Sequence, residues 1–216
     1  MDILNITTKE VAIIVAHPDD ETLWVGGTIL SHTAWNCFVV SVCRGADTNR
    51  APKFYKTLKA LNSTGAMGDL DDGPDQSPLD EKEIENTILS LLPNRSYDLI
   101  FTHNPNGEYT RHLRHEEVSK AVISLWHDNR IITDELRTFA YEDGKREYYP
   151  RSIMNATIYY PLSKEIWLRK YNILRDIYGF DINSWELLTT PHDEAFWQFL
   201  NSLSAMNWLK KGGLNR

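Results

Sequence analysis

Val11-Ala-Ile-Ile-Val-Ala16, running straight into His17-Pro18-Asp19-Asp20-Glu21, sets the architecture of the chain. The apolar run is unbroken and rich in β-branched residues. It reads as a short strand buried on both faces, the pattern of an interior strand in a parallel sheet. Pro18 has no N–H to continue a ladder, so the strand ends at His17. Asp19, Asp20 and Glu21 stand where the positive end of a helix favours negative charge, and the spacing predicts a helix from there through residue 34. Gly26-Gly27 lowers helix propensity inside that segment, which implies a neighbour packed closely against it.

Outward from this turn the same alternation repeats. Residues 38–43 and 97–102 read as further strands. Residues 52–61, 81–92 and 116–126 read as helices with apolar residues at helical spacing. Residues 65–78 read as a loop around a short strand. Later, 139–141 and 156–160 read as strands, and 164–178 and 194–206 as terminal helices. Strand followed by helix, repeated, gives an α/β fold: Rossmann-like, a mostly parallel sheet with helices on both faces. The 216 residues contain no repeat, linker or low-complexity tract, so one domain is expected over 1–216.

Composition narrows the function. There are 23 Lys+Arg against 30 Asp+Glu, a net charge of -7, and no basic block. That argues against a nucleic-acid partner, which needs clustered cations to displace counterions. A neutral or cationic small molecule fits better. The opening segment is too polar for a signal peptide. No apolar run approaches the roughly 20 residues a membrane-spanning helix needs. Cys37 and Cys43 read as buried strand thiols, not as a disulfide framework. A cytoplasmic protein is therefore expected, with homo-oligomerisation left open.

In a doubly wound sheet, ligands sit beyond the carboxyl ends of the strands. That rule selects residues 17–21, 44–50 and 103–115, where the chemistry-bearing side chains concentrate. His17 and Asp20 can meet across a tight turn. His112 and His115, three apart ahead of a helix, can share one face. A His₂Asp set from two strand ends would hold Zn²⁺ with a position left open. Each piece alone also reads as capping or loop chemistry; their placement at strand ends of one sheet makes the combination informative.

The run Ala16-His-Pro-Asp-Asp-Glu21, the following Gly26-Gly27, and Asn104-Pro-Asn-Gly-Glu-Tyr109 ahead of His112 and His115 resemble the PIG-L/LmbE-like N-acetylglucosaminyl deacetylases. The resemblance covers about residues 10–130, with Glu194-Ala-Phe196 similar to a late acid–aromatic motif. It implies a zinc-dependent hydrolase that removes acetyl from an N-acetylglucosamine-type amide. His17, Asp20 and His115 would be the metal ligands, with Fe²⁺ as the alternative ion. Asp19 would be the general base, and His112 a cationic or hydrogen-bonding stabiliser of the oxyanion. Arg50 and either Asp71 or Asp72 would contact substrate. The partner implied is a small N-acetylated amino sugar.

One departure stands out. Where many members carry Gly-His-Pro-Asp-His, this chain has Arg111-His-Leu-Arg-His115, losing the acid that orients a ligand histidine. Arg111 and Arg114 would favour an anionic substrate, or simply balance acids. His103 and Glu108 read as ordinary loop residues, Glu21 as a helix-start or supporting acid, and Trp167, Tyr171, Trp185 and Trp197 as core. Two rival readings remain: an inactive sugar- or metabolite-binding module on the same fold, and a Mg²⁺-binding acidic pocket of regulatory type.

Overall fold

The computed structural model describes residues 8–213; the first seven residues of the polar opening and the last three of the chain lie outside it. Seven strands form the central sheet: β1 (Glu10–Val15), β2 (Asn36–Cys43), β3 (Thr64–Leu70), β4 (Leu99–Thr102), β5 (Leu136–Phe139), β6 (Ile158–Pro161) and β7 (Asp193–Phe199). Their spatial order is β6-β7-β5-β4-β1-β2-β3. β1 pairs in parallel with β2 on one side and β4 on the other. β7 runs antiparallel to both its neighbours, β5 and β6. The sheet is therefore mostly parallel, as the apolar strand runs require.

Helices cover both faces. They are α1 (Asp20–Leu23), α2 (Gly26–Ser31), α3 (Arg50–Ala60), α4 (Glu81–Leu91), α5 (Leu113–His127), α6 (Lys164–Asn172), α7 (Trp185–Thr189) and α8 (Ser202–Lys210). The period-2 alternation of β1 divides the core. Ala12 and Ile14 pack with Ile84 and Ile88 of α4, Val118 and Val122 of α5, and Trp208 of α8. Val11, Ile13 and Val15 pack with Leu23, Ile29, Phe54 and Leu58 on the other face. Cys37 and Cys43 are free and buried.

Two elements differ from expectation. The helix expected through residue 34 is two short ones, α1 and α2. The break is held open because the Glu194 carboxylate accepts the Gly27 and Thr28 amides at 2.8 and 2.7 Å. The helix expected over 194–206 begins as strand β7, with α8 only afterwards. Phe196 enters one core cluster while Ala195, Trp197 and Phe199 enter the other. Burial on two faces of a sheet outweighs the helix propensity of that run.

β1 is where the winding reverses. From β1 the chain proceeds to β2 and β3 on one side; β4 and β5 then lie on the other. The carboxyl ends of β1 and β4 flank this switch point, the position at which open α/β sheets bind ligands.

Candidate metal centre

His17 follows β1, Asp20 opens α1, and His115 lies in the first turn of α5. Their donor atoms converge. His17 Nδ1 is 3.2 Å from Asp20 Oδ2 and 3.2 Å from His115 Nε2; His115 Nε2 is 3.4 Å from Asp20 Oδ2. The opposite ring nitrogens are engaged by carboxylates. His17 Nε2–H donates to Asp72 Oδ1 at 3.0 Å, and His115 Nδ1–H donates to Glu108 Oε2 at 2.5 Å. An ionised carboxylate only accepts, so these bonds fix both tautomers. Two imidazole lone pairs and a carboxylate oxygen then face one point with no proton between them.

Such a triangle of acceptors calls for a cation. Tetrahedral coordination at about 2.0–2.1 Å places donors roughly 3.3 Å apart, which the observed spacings match. The electrostatics agree. Burial lowers the proton affinity of His17 and His115, but Asp20 and its neighbours outweigh it and raise both. Burial raises Asp20, while His115 and His103 pull it well below the usual carboxylate range. The centre favours positive charge, which a metal ion supplies without a proton.

The supporting residues come from four segments. Trp24 Nε1–H donates to Asp20 Oδ1 at 2.9 Å, and Oδ2, which accepts the His17 backbone amide at 2.8 Å, faces the centre. Arg44 pairs with Asp72 at 2.8 Å and so orients the acid behind His17. Glu108 Oε2 also accepts from His103 Nδ1 at 2.9 Å, and its Oε1 accepts the Asn104 amide at 2.8 Å. Burial raises this carboxyl, but His103 and His115 hold it down at about 2. Glu108 thus supplies the orienting acid that the second motif lacks. His103, directly after β4, is completely buried, and the Ala16 amide donates to its Nε2 at 2.9 Å. Burial lowers and Glu108 and Asp20 raise its proton affinity; the Ala16 hydrogen bond keeps Nε2 unprotonated. Reading His103 and Glu108 as ordinary loop residues is therefore incorrect; their signal was position, since His103 ends β4 as His17 ends β1.

Asp19 has φ 124°, a backbone region that favours glycine. The turn holds it there: its amide donates to Glu21 Oε2 at 3.0 Å, and its carbonyl accepts the Thr22 and Leu23 amides at 2.9 and 2.8 Å. Glu21 is buried and also accepts the Tyr178 hydroxyl at 2.9 Å. This geometry turns Asp19 toward Arg50, whose Nη1 lies 3.2 Å from its Oδ2 and whose guanidinium covers the Phe180 ring. Burial and Asp20 raise the Asp19 carboxyl well above its ordinary value. The His112 ring stacks on His115 at 4.3 Å, and its buried Nδ1 has no protein partner. Burial and the adjacent His115 and His17 push it down to about 3.

Other sequence-predicted positions separate. His17, Asp19, Asp20, Arg50, Asp72 and His112 line one pocket of about 180 Å³, together with Tyr109 and Trp185. Asp72 faces it with its carboxylate already taken by His17 and Arg44. The Asp71 side chain is 64% exposed and stands outside. Arg114 is fully buried, donating to the Asp71 and Ser77 carbonyls and to Glu117, while Arg111 is bidentate to Glu116 at 2.7 Å. Both arginines balance local groups, and the case they made for an anionic substrate falls away.

The chain is similar to known proteins in sequence and in fold. A relative from Acanthamoeba polyphaga mimivirus, itself uncharacterised, is 24% identical over 176 residues, 75% of each chain. The solved N,N'-diacetylchitobiose deacetylase from Pyrococcus horikoshii superposes with TM-score 0.65 at 16% identity, covering 90% of this chain and 85% of the other. The 4-carboxy-2-hydroxymuconate hydratase GalB from Pseudomonas putida superposes with TM-score 0.60 at 14% identity, covering 88% and 95%. At these identities the structural likeness carries the fold alone. The PIG-L family profile, described as GlcNAc-PI de-N-acetylase, matches residues 12–126, more than half of the sequence and the whole of the converging cluster, and the chain belongs to that family.

Proposed function

We propose that this protein is a zinc-dependent N-deacetylase acting on an N-acetylglucosamine-type amide. What supports this reading most is the acceptor triangle of His17 Nδ1, Asp20 Oδ2 and His115 Nε2, with edges of 3.2–3.4 Å beside a strained, half-buried Asp19. His17, Asp20 and His115 would hold the ion. Bound there, zinc supplies a Lewis acid that makes water nucleophilic near neutral pH. Fe²⁺ is the alternative the same donors accept.

The chain's own groups perform the remaining steps. Asp19, with its raised proton affinity, takes the proton from the attacking water. Arg50 holds the Asp19 carboxylate at the pocket wall. His112, in the pocket wall, donates a hydrogen bond to the amide oxygen as charge develops on it. Water oxygen bonds to the acetyl carbon, the C–N bond breaks, and Asp19 passes its proton to the departing amine. Acetate and free amine are the products. The family and the deacetylase sharing the fold support this reaction class. The nitrogen-rich donor set disfavours a Mg²⁺ pocket, which takes oxygen ligands.

The test is release of primary amine and acetate from methyl N-acetylglucosaminide and N,N'-diacetylchitobiose by zinc-loaded protein. Turnover by the wild type, cut about 10²–10⁴-fold in Asp19→Asn, is expected. Turnover undiminished in Asp19→Asn contradicts the mechanism. Binding without turnover across the panel favours the inactive-module reading.

A further inference from the structure

Of the aromatic residues expected in the core, Trp197 is there, whereas Trp167, Tyr171 and Trp185 line a cleft outside the metal pocket. Trp24 differs from both groups. It closes the single turn of α1 and is completely buried, and its ring packs in the core while its one polar atom reaches the metal centre. That atom can only donate. It donates to Asp20 Oδ1 at 2.9 Å. The other carboxylate oxygen, Oδ2, lies 3.2 and 3.4 Å from the converging nitrogens of His17 and His115. The two oxygens of Asp20 are therefore unequal: one faces the histidines, and the other is held back by an indole.

Trp24 itself has little freedom. Its backbone amide donates to the Asp20 carbonyl at 3.0 Å, and its carbonyl accepts the Tyr141 hydroxyl at 2.8 Å. Its ring lies 4.9 Å from the Tyr141 ring, and both belong to the core around Leu23 and Phe139. Asp20 is only 4% exposed, so bulk water cannot take the place of the indole N–H. Without that N–H, Oδ1 would be a buried, unpartnered acceptor, which is costly. Turning toward an ion at the centre would relieve it. Grip by both oxygens would then fill one more position on the ion, the position a hydrolytic site keeps open.

We propose that Trp24 is a positioning residue that holds Asp20 to one-oxygen ligation, keeping a coordination position free and favouring zinc over ions that seek oxygen ligands, such as Mn²⁺. Trp24 has this role only if His17, Asp20 and His115 hold the ion, as proposed above.

The test uses Zn²⁺, Mn²⁺ and Co²⁺ as probes, without substrate, on full-length wild type, Trp24→Phe and Tyr141→Phe. Trp24→Phe keeps a buried ring and removes the N–H. Tyr141→Phe removes the hydroxyl on the Trp24 carbonyl and leaves the indole bond in place. In chelator competition, zinc affinity should fall about 10–100-fold in Trp24→Phe, as on loss of an orienting partner, and stay within about twofold of wild type in Tyr141→Phe. Mn²⁺ affinity should fall less than zinc affinity. Cobalt-loaded Trp24→Phe should lose the intense visible absorption of a four-coordinate ion. In the wild type, which needs no variant to fold, indole N–H magnetic resonance spectra should show a slowly exchanging signal that shifts when zinc is added. Unchanged zinc affinity and cobalt spectrum in Trp24→Phe overturn the proposal. So does equal loss of zinc and Mn²⁺ affinity, equal zinc loss in Tyr141→Phe, or a wild type whose slowly exchanging indole signals are all unmoved by zinc. A wild type that binds none of the ions removes the metal reading and this role with it. A wild type that binds zinc beside an unchanged Trp24→Phe removes this role alone.

Discussion

Replacing Glu108 with Gln removes one negative charge from behind the centre while keeping the shape of the side chain. Glu108 accepts three hydrogen bonds in a fully buried place: from His115 at 2.5 Å, His103 at 2.9 Å and the Asn104 amide at 2.8 Å. A Gln amide offers one accepting end and one donating end. Whichever way it turns, its NH₂ meets a donor, so at least one buried N–H loses its partner. A lost hydrogen bond to a charged group costs about 1.5–3 kcal/mol, and an orphaned buried donor about 1–3 kcal/mol. The expected destabilisation is therefore about 2.5–6 kcal/mol, with each kcal/mol worth about 2–4 °C in a protein of this size. His115 also loses the bond that fixes its tautomer and aims Nε2. Loss of such an orienting partner lowers metal affinity about 10–100-fold. Chelator competition for zinc and thermal melts with and without zinc read both effects. Glu85→Gln, which breaks a distant pair with Arg130, serves as the control: it should leave zinc affinity unchanged. Zinc affinity of Glu108→Gln within about twofold of wild type would refute the orienting role and reduce Glu108 to a packing group.

Further outcomes follow from the same contacts. An added methyl at Gly27 would sit 2.5 Å from the Leu162 side chain and 2.9 Å from Glu194 Oε1, so Gly27→Ala should destabilise by about 1–3 kcal/mol, measured by denaturant unfolding; an unchanged midpoint contradicts the close packing. Burial pushes the Cys37 and Cys43 thiols up from an ordinary value of 9.0 to about 12. Thiolate is the reactive form, so both should resist a thiol reagent at pH 8 until the protein unfolds. The linkage sign is clear: the folded state holds these protons more tightly, so their contribution is intact below pH 9 and is lost as pH rises toward 12. Stability rising over that interval would contradict it.

The sequence made the parallel sheet and the first strand–turn–helix readable, because an uninterrupted apolar run has few other homes and Pro18 marks its end. His17, Asp20, His112 and His115 are legible as a candidate cluster from their places near strand ends, whereas the parts given to Asp19 and His112 come from the family resemblance. What escaped depends on pairings distant in the chain. Glu194 is 167 residues from the amides of α2 that it accepts, so neither its buried pairing with Lys170 nor the break between α1 and α2 could be read locally. The strand at Asp193–Phe199 is imposed by pairing with β5 and β6. Asp72 rather than Asp71 meets His17 through a loop whose course propensity does not determine. The exposure of Trp167, Tyr171 and Trp185 was likewise hidden, since aromatic residues at helical spacing read as core until a cleft is seen beside them.

The proposed reaction depends on one metal ion held by His17, Asp20 and His115. Elemental analysis after zinc loading and desalting, on wild type and His115→Ala, tests it most directly. About one zinc per chain is expected in the wild type, with loss of that zinc in a variant that remains folded by circular dichroism. A wild type that takes up no zinc, or a folded His115→Ala that retains a full equivalent, would contradict it.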